Sequence, residues 1–114
     1  MSFSEIELKK IDNLVGGLCR KRSSVLFRDE LRYEYAIDGY NIIISECRPR
    51  WDNQAEWMQN PFAKIKFTRK TSDWTLYWQR ANGKWLAYEP IAPTKELLVL
   101  VNEIDADPLH TFFG

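Results

Sequence analysis

The chain has 114 residues, 45% hydrophobic and 28% charged, and its 16 basic and 16 acidic side chains cancel to a formal net charge of zero. This is ordinary globular usage for a single domain, residues 1–114, able to bury about two-thirds of its unfolded surface without staples. It excludes wholesale disorder, and the neutral total removes the usual reason to expect a nucleic-acid or membrane binder.

The N-terminal helix has a marked start. Ser4 and Glu7 form a capping-box pattern, and Phe3 is placed to staple onto Leu8. Leu8, Ile11, Leu14, Val15 and Leu18 recur at helical spacing, which carries the helix to about Arg20. Gly16-Gly17 weakens its middle, so either a strand approaches closely there or the helix ends.

Leu31, Tyr33, Tyr35 and Ile37 then alternate with polar or small residues, and Asp38-Gly39 supplies a two-residue turn into a return strand from Tyr40 to Cys47. That register sets Ile37 opposite Tyr40, Tyr35 opposite Ile42 and Tyr33 opposite Ile44. Ala63, Ile65 and Phe67 mark a further strand. A second hairpin follows, with Trp74, Leu76 and Trp78 alternating, Asn82-Gly83 turning, and Lys84 to Glu89 returning. Its register sets Trp78 opposite Ala87 and Arg80 opposite Trp85, with Tyr77 facing Tyr88 on the reverse side. After Pro93, Thr94 caps a closing helix whose buried stripe is Leu97, Leu98, Val101 and Ile104, and Asp107-Pro108 stops it. The expected fold is α+β: a five-stranded antiparallel sheet, two β-hairpins plus one strand, flanked by an N-terminal and a C-terminal helix on one face.

Aromatics are the unusual feature, at 14%. They either thicken the core or furnish a binding surface. The segment from Cys47 to Pro61 is longer than a plain connection needs. In it, Asn53 and Glu56 cap a one- or two-turn helix holding Trp57 and Met58. Arg48, Arg50, Trp51 and Trp57 form a candidate site for a phosphate or carboxylate, because paired guanidiniums grip such groups bidentately. The competing reading pairs both arginines with Glu46, Asp52 or Glu56. A second constellation is the outer sheet face, where Lys64, Lys66, Tyr77 and Tyr88 suggest a stacking platform for single-stranded nucleic acid. The zero net charge, the lack of an RNP-like run and Glu34 on the same side count against it.

No catalytic or metal-binding set is expected, since neither a known catalytic motif nor a ligand spacing occurs and His110 is the lone histidine. No cofactor is implied. Arg20, Lys21 and Arg22 read as complements to a helix C-terminus. Cys19 and Cys47 read as reduced, half-buried thiols. The first residues lack the basic and apolar regions of a signal peptide, and the longest apolar run, Leu97 to Val101, is far short of a membrane span, so the cytoplasm is the expected location.

The run LRYEYAIDGYNIIISECRPRW, then PFAKIKF, then WTLYWQRANGKWLAYEP and the ending NEIDADPLHTFFG resemble a bacterial family known as domain of unknown function 3024, in the same order over residues 31–114. Phe113 stands where that family's pattern has Trp. The resemblance implies a compact bacterial domain and brings no activity, cofactor or catalytic residue. Three functional readings follow. First comes a non-enzymatic module that binds a protein partner or itself; the anion binder and the nucleic-acid binder are the alternatives.

Overall fold

The computed structural model describes residues 2–23 and 30–113. Ser4 and Glu7 close the capping box: the Ser4 hydroxyl accepts from the Glu7 N–H (3.2 Å) and the Glu7 carboxylate accepts from the Ser4 N–H (2.8 Å). Helix α1 (Glu5–Ile11) continues through a π-helical turn (Asp12–Gly16) into α2 (Gly17–Arg22). The wide turn coincides with a close approach that Gly16 allows, whereas a methyl group on Gly17 would meet nothing. A methyl group on Gly16 would lie 2.7 Å from Asp12 Oδ1 and 3.2 Å from the Tyr35 ring, and Tyr35 donates its hydroxyl to that same oxygen (2.7 Å). Phe3 does not staple onto Leu8, which stays exposed. It turns into the core, its ring centroid 5.2 Å from that of Tyr40 and 5.8 Å from that of Trp74.

Strands β1 (Arg32–Asp38), β2 (Asn41–Pro49), β3 (Trp57–Thr68), β4 (Asp73–Gln79) and β5 (Trp85–Ala87) form one five-stranded antiparallel meander in that order. Both hairpins exist, and both registers differ from the expectation. In the first, Asp38 pairs with Asn41 and Ile37 with Ile42, so the turn is Gly39-Tyr40, with Gly39 at φ +61°. The slip is two residues, which leaves every side chain on its expected face. The Tyr40 ring gains the aromatic cluster of Phe3 and Phe67 by it. In the second, Gly83 N–H donates to the Arg80 carbonyl (2.8 Å) and Arg80 N–H to the Lys84 carbonyl (2.9 Å), with Gly83 at φ +84°. That is a three-residue loop with a glycine bulge rather than a two-residue turn. Tyr77 therefore meets Ala87 and Trp78 meets Leu86. This slip is one residue, and it reverses the faces.

A bulge also interrupts β2–β3. Ile44 pairs with Ala63 but Ser45 pairs with Pro61, leaving Phe62 without a partner. Phe62 joins Tyr33 and Phe113 in a second aromatic cluster, its centroid 5.9 and 5.4 Å from theirs. No helix forms over Asn53–Met58: the β2–β3 ladder claims Trp57 and Met58, and Asn53 Oδ1 accepts from the Ala55 N–H (3.2 Å) within the hairpin loop.

Thr94 is not the cap of the last helix, because its backbone pairs with that of Trp74 (2.7 and 2.9 Å). Helix α3 (Leu97–Ala106) starts three residues beyond Thr94, so Leu97, Leu100, Val101 and Ile104 form the buried stripe and Leu98 turns outward. It ends at Asp107, which adopts the left-handed conformation (φ +43°). The Asp107 carboxylate accepts from the N–H groups of Thr111, Phe112 and Phe113 (2.7–3.0 Å), fastening the last turn to the helix. The core lies between the helices and one sheet face, where Ile42, Ile44, Ala63, Ile65, Phe67, Trp74 and Leu76 meet Ile11, Val15, Leu18 and the α3 stripe. Trp78 is only half-buried at its margin.

Candidate functional site

The β1–β2 ladder begins at the Arg32–Cys47 pair and the β3–β4 ladder at the Ala63–Trp78 pair, so beyond them β2 and β3 have only each other. Residues 48–58 thus project as a two-stranded arm. The molecule measures 45 × 30 × 24 Å, with a radius of gyration of 14.4 Å. A compact chain of this length would have about 13 Å.

The tip is tied by Arg50. Its N–H donates to the Glu56 carbonyl (2.8 Å), its guanidinium grips Asp52 at 2.9 and 2.7 Å, and its remaining nitrogen reaches Glu56 Oε2 at 3.0 Å. Arg48 is paired with Glu46. Arg48, Arg50 and Trp51 border one hollow of about 470 Å³ with Glu30 and Gln54. Trp51 is 92% exposed, and Met58 on the arm is 45% exposed. Trp57 is not part of this group. It lies on the open sheet face, with the Arg32 guanidinium 4.0 Å over its ring. The two arginines thus share their surroundings with Glu30, Glu46, Asp52 and Glu56, so an incoming anion would meet carboxylates as well as guanidiniums.

On the sheet face that carries no helix, Lys64, Lys66 and Tyr77 stand together as expected. Tyr88 does not. The one-residue slip places it beside Leu76 on the core side, where its N–H donates to the Leu76 carbonyl (2.8 Å) and its hydroxyl to Glu103 Oε2 (2.7 Å). Burial, then that carboxylate, push the phenol up to about 12. Trp85 takes the place expected for Tyr88, and only a knowledge of the bulged loop would have revealed it. Lys64 Nζ lies 4.8 Å from the Tyr77 ring centroid and 5.3 Å from that of Trp85, and desolvation lowers its pKa. The stacking surfaces are therefore capped by the protein's own cations.

The basic residues at the end of α2 have structural partners. Lys21 and Arg22 hold Asp105 of α3 at 2.6 and 3.1 Å, and Arg20 meets Asp12 at 3.5 Å. Both cysteines are free and buried; burial pushes the Cys19 thiol up to about 11 and that of Cys47 upward as well. Cys47 Sγ lies 3.7 Å from Glu34 Oε2. Among the described residues, no three potential metal-ligand side chains come together, and no helix is long and apolar enough to cross a membrane.

The fold and these surfaces define an α+β protein with an open antiparallel sheet, helices on one face and a projecting hairpin. The chain belongs to the family described as Domain of unknown function (DUF3024), whose model matches residues 3–114 and so includes the first helix. No curated protein and no solved structure matches it.

Proposed function

We propose that the protein is a non-enzymatic interaction module that offers the tip of the β2–β3 arm to a protein partner. The observation that carries this reading is Trp51, an indole 92% exposed at the end of an arm held in shape by Arg50. Tryptophan and arginine dominate the binding energy of protein interfaces, and a tip ordered before contact loses less entropy on docking. The aromatic rings of Phe3, Phe67 and Trp74 find the core, whereas Trp51 does not. A cytoplasmic location accords with two free thiols.

The test is a photo-crosslinking residue at Gln54, in cells that normally make the protein. A discrete adduct that disappears with Trp51→Ala is the expected result. No adduct, or one indifferent to Trp51, would overturn the reading.

The nucleic-acid alternative is favoured by Lys64, Lys66, Tyr77 and Trp85 sharing one open face. It predicts oligonucleotide anisotropy that rises at low salt and falls with Trp85→Ala. A flat signal removes it.

A further inference from the structure

Helices α1 and α3 leave an apolar hollow of about 440 Å³ between them, well away in sequence from the arm. Its walls include Leu14, which is half-buried, together with Ile6 at 84% and Leu98 at 47% exposure. Leu98 is outside because α3 starts at Leu97, one position before it, and the buried stripe runs through Leu97, Leu100, Val101 and Ile104. Lys9 and Lys10 flank the hollow on the α1 side and Glu96 on the α3 side. Among the described residues none of these three joins an ion pair, whereas Arg20, Lys21 and Arg22 at the end of α2 all do.

We propose that this hollow is the contact between two copies of the chain. Opposed walls of opposite sign decide between occupants. A partner segment of either single charge would meet one wall of its own sign, and like charges brought together are penalised. A second copy, turned by a two-fold axis through the apolar floor, presents its Glu96 to Lys9 and Lys10 and its lysines to Glu96. The zero net charge of the chain leaves no overall repulsion to oppose the approach. This contact is separate from the arm, so the pair would present two Trp51 tips.

The experiment is sedimentation equilibrium of the full chain from micromolar to sub-millimolar concentration. The mass should rise from 13.5 kDa toward twice that value. Leu98→Asp should hold it at the monomer, with an unchanged circular dichroism spectrum because the side chain is exposed. Glu96→Lys should weaken self-association about tenfold or more at low salt. The deciding arm mixes the Glu96→Lys chain with a Lys9→Glu, Lys10→Glu chain. The mixture should associate more tightly than either alone, since every rim pair is then attractive. Trp51→Ala should dimerise like the parent. A parent chain that stays monomeric overturns the proposal, and so does a dimer indifferent to Leu98→Asp, a mixture no tighter than its components, or a dimer abolished by Trp51→Ala.

Discussion

Near its turn with β1, strand β2 runs between two neighbours, with Ile42 and Ile44 wholly buried beneath the helices. Further along, β2 and β3 leave the sheet together, and the backbones of Pro49 and Trp57 pair only with each other. Apart from the bulge at Phe62 the ladder runs unbroken and the side chains alternate, yet one half is core and the other is arm. What differs is cover: two more strands and a helix layer on the inner half, water on the outer. Alternation states which residues share a face; only the neighbours decide whether that face is dry.

That contrast is open to attack in order of expected effect. Ile65→Ala removes a fully buried side chain from the inner half and should cost about 2–5 kcal/mol in a denaturant titration. A loss below about 1 kcal/mol would mean the helices do not seal that face. Tyr88→Phe deletes the hydroxyl bonded to Glu103, so it should cost about 1 kcal/mol, where a tyrosine on the open face would cost nothing measurable. Equal stability of parent and variant would restore the other register of the second hairpin.

Glu7→Gln should cost about 1 kcal/mol at neutral pH, by weakening the cap of α1 and its link to the β3–β4 turn through Arg69. The Arg69 guanidinium, then the Ser4 N–H, hold the Glu7 carboxyl down at about 2, from an ordinary 4.5. A depressed folded-state pKa stabilises above the unfolded value and is lost as pH falls through the folded one. The difference between parent and variant should therefore shrink between pH 4.5 and 2. A pH-independent difference would assign the loss to helix propensity instead. Smallest of all, Trp51→Ala should shift stability by no more than about 0.5 kcal/mol, against the Ile65 loss, because the indole touches so little. A larger loss would make Trp51 a structural residue and remove the ground for the docking proposal.

Much of the fold was legible in local chemistry. Ser4 with Glu7 predicted the helix start, and the alternation around Tyr35 and Leu76 predicted the strands. Asp107-Pro108 predicted the stop of α3. In each case the signal and the interaction lie within a few residues of one another. The candidate sites were less legible. Arg48, Arg50 and Trp51 do meet at one hollow, but Trp57 was claimed by the ladder and Tyr88 by the core.

What the sequence by itself determined was therefore the two helical regions, the five strands and their order, and the apolar face of β1 to β4, because period and capping are properties of neighbouring residues. Turn register, the onset of α3 and exposure were decided only in the tertiary structure. Thr94 could have capped a helix had Trp74 not taken its backbone, and Asn82-Gly83 could have made a two-residue turn. Trp51 could have filled a core as readily as Trp74 does. Such choices compare free energies of contacts between distant parts of the chain, differing by a few kcal/mol at most, and no local pattern contains that comparison.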